Sequence, residues 1–156
     1  MPKSQKPSVI TPAQRRESGG PSPNLEQYVE TIAYLLTKDK VCTVSDIAEL
    51  ANVTRAAASR AVKELAEKEL VTHRTYGYVD LTEDGRGLAD QLARRHHILQ
   101  RFLGQVLGFD NDTADREACR LEHHVDDELA RRIQGLSELI EGDAALRRRI
   151  HRQLGA

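Results

Sequence analysis

Residues 43–65 read TVSDIAELANVTRAAASRAVKEL, and they constrain the architecture of the chain more than any other stretch. Thr43 and Asp46 form a helix start of the capping-box type, with Asp in place of the usual Glu or Gln, and predict a short helix. Thr54 then caps a second helix, predicted over residues 55–69. Two helices joined by a tight turn form a helix-turn-helix, whose second helix enters the major groove when such a unit binds DNA.

The segment after this second helix predicts a β-hairpin. Residues 70–81 read LVTHRTYGYVDL, an alternating pattern centred on Tyr76-Gly77, and such a pattern is typical of two short strands around a tight turn. A helix-turn-helix followed at once by a hairpin is a winged helix. The remaining predicted helices begin at Pro23, run over 83–107, begin at Asp112 or Thr113, and run over 126–134 and from Asp143 to Leu154.

These elements predict a mainly α protein with two folded parts. Residues 1–22 are rich in Pro, Gly and Ser and show no periodicity, which predicts a disordered tail. Residues 23–90 hold the predicted winged helix, and residues 91–156 hold the later helices. The boundary falls inside the long helix, near Gln91.

Composition limits the class of protein. No apolar run approaches the roughly 20 residues that span a bilayer, and the start of the chain lacks a secretory signal. The two cysteines, Cys42 and Cys119, lie in different contexts and do not indicate a disulfide, so we expect a reducing cytoplasm. Because the formal net charge is −1, any DNA binding has to come from local basic patches.

The predicted second helix of the helix-turn-helix offers such a patch. Arg55 and Arg60 are the best candidates for base edges, because arginine pairs with guanine through two hydrogen bonds. The small Ala57 lets the helix approach the groove closely. The full set of candidate DNA contacts is Thr54, Arg55, Ala57, Ser59, Arg60 and Lys63 on the helix, with Arg74 and Tyr76 on the wing. Winged helices also bind proteins, and in that alternative the arginines are merely solvated.

Residues 119–123, Cys-Arg-Leu-Glu-His, suggest a metal site. If they are helical, Cys119, Glu122 and His123 leave one face within a single turn. A thiolate, a carboxylate and an imidazole suit iron(II), manganese, zinc, cobalt or nickel. An amphipathic helix with a polar face offers the same residue types, so the motif alone leaves both interpretations open.

From about Pro23 to Leu154 the chain resembles the metal-dependent transcriptional repressors typified by the diphtheria toxin repressor and the manganese transport regulator. The resemblance rests on LEQYVE (25–30), VSDIA (44–48), LTEDG (81–85), RH (95–96) and EACRLEHH (117–124). It implies a winged helix followed by a helical metal-binding and dimerisation domain. It also implies a homodimer that binds a palindromic operator on double-stranded DNA when a divalent metal corepressor is bound. The short length resembles the manganese branch, which lacks a C-terminal SH3-like domain.

The resemblance also implies a set of metal ligands. His96, Glu122 and His123 match ligands shared by the family, and Glu30 matches a carboxylate of the manganese branch. Cys119 instead matches the cysteine of the iron-responsive branch. The full set of candidates is Gln27, Glu30, His96, Cys119, Glu122 and His123, of which Gln27 departs from both branches. Gln100 and Asp115 stand where the iron branch keeps Glu and His, which predicts an altered or missing second site.

The expected cofactor is Mn²⁺ or Fe²⁺. Length and Glu30 favour manganese slightly, while the thiolate of Cys119 favours iron(II), cobalt, nickel or zinc. Two rival functions remain. A metalloenzyme would need a catalytic signature, and no HExxH or GxSxG occurs, so we expect neither an enzyme nor a small organic substrate. The other rival is a metal-independent winged-helix regulator in which Cys119 senses oxidants.

Overall fold

The computed structural model describes residues 21–38, 41–73 and 77–155, which form a mainly helical protein with one small sheet. The helices are α1 (Pro23–Lys38), α2 (Val44–Leu50), α3 (Arg55–Glu67), α4 (Glu83–Arg101), α5 (Asn111–Leu121), α6 (Asp127–Glu141) and α7 (Ala144–Leu154), and α4 continues as a π-helical segment, Phe102–Val106. The strands are β1 (Cys42–Thr43), β2 (Val71–His73) and β3 (Tyr78–Leu81). Within the described ranges, no helix combines the length and apolar character that crossing a membrane requires.

The helix-turn-helix forms as its caps predict. The Thr43 hydroxyl accepts a hydrogen bond from the Asp46 N–H at 3.3 Å, and the Asp46 carboxylate accepts one from the Thr43 N–H at 2.8 Å. Thr54 caps α3 by accepting from the Ala57 N–H at 3.1 Å. The helix ends at Glu67 rather than at Glu69, because Glu69 adopts a positive φ of 59° that turns the chain toward β2.

The wing belongs to a three-stranded antiparallel sheet in the order β1-β3-β2. The sequence predicts the hairpin of β2 and β3. It does not predict β1, because two residues are too few to show a periodic pattern. Cys42 of β1 lies opposite Val79 of β3, and both side chains are buried. Residues 74–76 lie outside the described residues, so the contacts predicted for Arg74 and Tyr76 stay predictions.

Two hydrophobic cores lie along the chain and share the long helix α4. The first core, in the winged-helix half, receives Leu88 and Leu92 from α4. The second core, formed with α5 and α6, receives Leu99 from the same helix. Because α4 is packed at both ends, it connects the two cores as a continuous element. The predicted division after residue 90 stays a prediction, and the predicted tail, residues 1–22, lies almost wholly outside the described residues.

The limits of α5 and α6 differ from the predicted ones. Helix α5 begins at Asn111 because Asp110 caps it, accepting from the Thr113 N–H at 2.9 Å. Helix α6 continues to Glu141, well past the predicted end at Gln134. Helix α6 also has an aspartate cap, since Asp126 accepts a hydrogen bond from the Leu129 N–H at 2.7 Å. In both helices the aspartate bonds an N–H group of the first turn that would otherwise lack a partner within the helix.

Gly85 in the first turn of α4 allows a close approach between α4 and the start of the hairpin. A Cβ atom at Gly85 would lie 2.0 Å from the carbonyl oxygen of Leu70, whereas a Cβ at Gly87 would meet no atom of the described residues within 4 Å. We expect Gly85→Ala to lower the free energy of unfolding by about 1–3 kcal/mol, the usual cost of overpacking. Gly87→Ala is the matched control and should raise it, by up to about 1 kcal/mol. Urea unfolding of both variants measures the difference, and equal effects would contradict this packing.

Candidate metal centre

Three ligand atoms converge between α1 and the end of α5. One atom each from Glu30, Glu122 and His123 lies within 4.8 Å of the other two. Nε2 of His123 is 3.5 Å from Oε2 of Glu30 and 3.5 Å from Oε1 of Glu122. Metal–ligand bonds of about 2.0–2.2 Å place neighbouring donors about 2.8–3.1 Å apart at octahedral angles and about 3.3–3.6 Å apart at tetrahedral angles. The donor types and their spacing therefore fit a divalent transition metal.

The segment bearing Glu122 and His123 is not wholly helical, so the predicted arrangement on one helical face is only partly right. Helix α5 ends at Leu121, and Glu122 still has helical φ and ψ angles of −56° and −33°. The His124 N–H donates to the Leu121 carbonyl at 2.8 Å, a bond that spans three residues rather than four and therefore marks a tighter turn. His123 thus lies in the turn beyond the helix, and its imidazole still converges on Glu122.

His96 of α4 joins this group through Glu122. Its Nδ1 lies 2.8 Å from Oε2 of Glu122, and its Nε2 lies 3.1 Å from Oδ1 of Asp115. The hydrogen bond to Glu122 is the main reason why the pKa of His96 is raised to about 9. Gln100 also donates to Oδ1 of Asp115, at 3.1 Å. His96, Gln100 and Asp115 therefore lie together, and the expectation of an altered second site there stays a prediction.

The centre concentrates negative charge, which a cation would offset. Burial, followed by the charge of Glu122, raises the pKa of Glu30 to about 7. Glu122 itself is buried, with only 1% of its surface exposed. The carboxyl group of Glu30 therefore ionises less readily than usual unless a positive charge lies nearby. Protons on Glu30 and on the histidines, or a metal ion in their place, would compensate the charge.

Two predicted ligands, Gln27 and Cys119, lie beside the centre at its more exposed side. Together with Glu30 they line a cavity of about 320 Å³. Both residues are exposed. Partial burial, followed by the charges of Glu122 and Glu30, raises the pKa of the Cys119 thiol. The structure thus brings both residues near the three-atom cluster, and their coordination of a metal stays a prediction.

Glu26 also lies at the centre, although the sequence did not predict a role for it. It is buried on α1, and its Oε2 lies 2.9 Å from Nδ1 of His123. Burial alone would lower the pKa of His123, but the hydrogen bond to Glu26 and the charges of Glu30, Glu122 and Glu26 raise it. One signal was present in the sequence. Glu26 and Glu30 are four residues apart on a helix, a like-charge pair that is unfavourable unless something compensates it.

The candidate DNA-contacting residues on α3 lie on one side of that helix. Arg55, Ser59, Arg60 and Lys63 are exposed, whereas Ala58, Val62 and Leu65 on the other side are buried. Ala57 is half-buried. The Thr54 oxygen caps the helix, and its hydroxyl proton can still be donated to a phosphate. The arrangement matches a recognition helix with a polar, basic outer face.

Comparison with known families covers both halves of the chain. A family described as "Iron dependent repressor, metal binding and dimerisation domain" matches residues 82–143, the range that holds His96, Cys119, Glu122 and His123. A second, the MarR family, matches residues 26–87. The chain belongs to the metal-dependent repressor family of the diphtheria toxin repressor and the manganese transport regulator. The winged-helix fold predicted from residues 43–81 is thereby confirmed.

Solved structures of this repressor family are similar over most of the chain. The manganese regulator SloR is 33% identical with a TM-score of 0.65, and the match covers 74% of this chain and 54% of SloR. A manganese-dependent transcriptional repressor in complex with manganese is 34% identical with a TM-score of 0.65, covering 73% of this chain and 52% of the other. ScaR with bound Zn²⁺ is 31% identical with a TM-score of 0.65, covering 74% and 54%. The chain thus spans about half the length of these relatives.

Proposed function

We propose that this protein is a metal-responsive transcriptional repressor that binds a palindromic operator on double-stranded DNA as a homodimer. The observation that carries the proposal is the convergence of Glu30, Glu122 and His123 on one point between α1 and the end of α5. The relatives that the chain matches are described as regulators and repressors, which supports a regulatory rather than an enzymatic role. The proposal implies action in the cytoplasm, where the protein would meet DNA.

The metal acts by joining two parts of the molecule. Glu30 belongs to α1, which packs in the winged-helix core, whereas Glu122 and His123 follow α5, which packs in the second core. A cation bound by all three residues favours conformations in which these two parts keep a fixed relative orientation. Of the available conformations, those that place two recognition helices in successive major grooves are the ones that bind DNA.

Dimer formation is supported by an apolar face on α6. Leu129, Leu136 and Leu139 are exposed there, and the last of them retains 74% of its accessible surface. These leucines lie within the range that matches the metal-binding and dimerisation domain. Because a two-fold dimer presents two identical recognition helices, its operator is expected to be palindromic.

The metal is proposed to be Mn²⁺, with Fe²⁺ as the nearest alternative. The two carboxylates and the imidazole of the cluster suit manganese, and the adjacent thiol of Cys119 suits softer ions. Among similar proteins, SloR is described as a manganese regulator, and ScaR has been solved with Zn²⁺ and with Cd²⁺. The preference for manganese therefore depends on whether the thiol coordinates the ion.

Cys119→Glu is expected to shift the metal preference toward manganese, because it replaces a soft donor with a hard one. Calorimetric titration of the metal-free protein with Mn²⁺ and with Co²⁺ gives the ratio of the two affinities, which should change by about tenfold or more in favour of Mn²⁺. Cys119→Ser is the control, since it removes the thiolate without adding a carboxylate. An unchanged ratio in both variants would show that the thiol is not a ligand.

The rival in which Cys119 senses oxidants without a metal has less support. Cysteines that react readily with oxidants are usually accessible and have a lowered pKa, because the thiolate is the reactive form. Cys119 is accessible, but partial burial and the neighbouring carboxylates raise the pKa of its thiol. Its environment suits a residue that ionises when a cation arrives.

The proposed function is tested by selecting duplexes from a random DNA pool with metal-free protein, with Mn²⁺, with Fe²⁺ under anaerobic conditions, and with an oxidant. We expect enrichment only with metal, and the enriched sites should be palindromes with half-sites about 10 base pairs apart or a multiple of that distance. Sedimentation of the same samples should show a dimer. Enrichment by the oxidant alone, or with no metal at all, would contradict the proposal.

A further inference from the structure

We propose that Glu26 is a positioning residue of the metal centre, whose carboxylate holds Nδ1 of His123 so that Nε2 is the nitrogen that binds the cation. The inference rests on the proposed metal-dependent function. It concerns a residue outside the cluster of ligand atoms, which consists of Glu30, Glu122 and His123. Glu26 acts through the imidazole and does not itself touch the metal.

The two nitrogens of the His123 ring face different groups. Nδ1 lies 2.9 Å from Oε2 of Glu26, while Nε2 lies 3.5 Å from one oxygen of Glu30 and 3.5 Å from one oxygen of Glu122. A neutral imidazole carries its proton on one nitrogen and a lone pair on the other. A carboxylate oxygen at 2.9 Å accepts a hydrogen bond from Nδ1–H, so the contact with Glu26 places the ring proton on Nδ1. The lone pair on Nε2 then points at the two ligand carboxylates.

Burial makes this contact stronger than a surface pair. The side chain of His123 is 3% exposed and that of Glu26 is 6% exposed. In such an environment hydrogen bonds are strengthened, and water competes little for either partner. A carboxylate that accepts from the second nitrogen of a ligating histidine fixes the ring orientation and makes the other nitrogen a better donor. Glu26 has both the chemistry and the position for this role.

The contact also joins two parts of the chain that are remote in the sequence. Glu26 lies on α1 and His123 in the turn after α5, which are 97 positions apart in the sequence. Because the contact holds the ring of His123 in one orientation, it reduces the conformational freedom that this side chain loses on binding a metal.

The inference predicts a specific loss of metal affinity. Glu26→Gln keeps the size of the side chain but removes its charge, and Glu26→Leu removes the acceptor altogether. Calorimetry and absorption spectroscopy with Co²⁺ should show about a tenfold loss of affinity for the first variant and up to about a hundredfold for the second, with altered visible bands of bound Co²⁺. Glu49→Gln, an exposed glutamate on α2, is the control and should bind Co²⁺ as the unmodified chain does.

A second measurement uses the unmodified chain and does not depend on whether the variants fold. In ¹⁵N NMR of the protein loaded with Zn²⁺, we expect His123 to keep a proton on Nδ1 and to bind the metal through Nε2, with His123→Gln assigning the signals. Zinc bound at Nδ1, or full Co²⁺ affinity and unchanged bands in both Glu26 variants, would overturn the inference while leaving metal binding itself intact. Failure of the unmodified chain to bind Co²⁺ or Zn²⁺ would overturn the proposed function together with the inference.

Discussion

Glu122→Gln is expected to lower the metal affinity by about a hundredfold to a few thousandfold and to abolish metal-dependent DNA binding at metal concentrations that saturate the unmodified protein. The side chain is buried and contacts both histidines: its oxygens lie 2.8 Å from Nδ1 of His96 and 3.5 Å from Nε2 of His123. Removing one member of a buried charged group costs about 3–5 kcal/mol, and each tenfold change in affinity corresponds to about 1.4 kcal/mol. Calorimetry with Mn²⁺ measures the affinity.

The control for this change is Glu117→Gln on α5, the helix that ends just before Glu122. Glu117 forms surface ion pairs with Arg116 and Arg120, at 3.6 and 3.3 Å. Exposed pairs of this kind contribute little to stability, so the control should bind Mn²⁺ as the unmodified protein does. If Glu122→Gln retained full metal affinity, the cluster of Glu30, Glu122 and His123 would not be the metal centre.

Replacing Arg55 and Arg60 with alanine is expected to remove specific DNA binding while leaving metal binding unchanged. Each arginine that pairs with a guanine contributes about 1–3 kcal/mol of discrimination, so the single variants should lose roughly 5- to 150-fold in operator affinity. The two side chains are exposed on α3 and belong to the winged-helix half. Fluorescence polarisation measures the loss, with a duplex that metal-loaded protein has enriched from the random DNA pool. Calorimetry checks that Mn²⁺ affinity is retained.

Arg148→Ala gives the matched control, because Arg148 is an exposed arginine on α7. It should change operator affinity little at moderate salt. Lys63→Ala tests a different contribution: a lysine that contacts phosphate should weaken binding to all duplexes alike and reduce the salt dependence. An Arg60 variant with the same affinity and the same sequence preference as the unmodified protein would exclude α3 as the recognition helix.

The winged helix could be predicted from the sequence because its signals are local. Thr43 and Asp46 are three residues apart, and the capping box they predict is present. Gly85 shows the limit of local reasoning. As one of two glycines in a predicted first turn it weakens the helix on propensity alone, yet the carbonyl of Leu70, fifteen positions away, leaves no room for a larger residue.

The candidate metal centre was predictable in composition but not in detail. The pattern of Cys119, Glu122 and His123 indicated converging ligands, and the structure confirms convergence for Glu122 and His123. The turn after Leu121 could not be foreseen, because the tighter hydrogen bond from His124 competes with continuing the helix. Glu26 was missed because its partner is remote in the sequence, and a buried hydrogen bond between two distant segments leaves no periodic pattern.

The central claim is that a cation held by Glu30, Glu122 and His123 favours the conformation that binds DNA, and one measurement tests it directly. The affinity for one selected palindromic duplex is measured at fixed salt with metal-free and with Mn²⁺-loaded protein. The account predicts that Mn²⁺ raises DNA affinity by about 5- to 150-fold or more, and that the duplex raises Mn²⁺ affinity by the same factor. Equal affinity of the metal-free and metal-loaded protein for that duplex would contradict it.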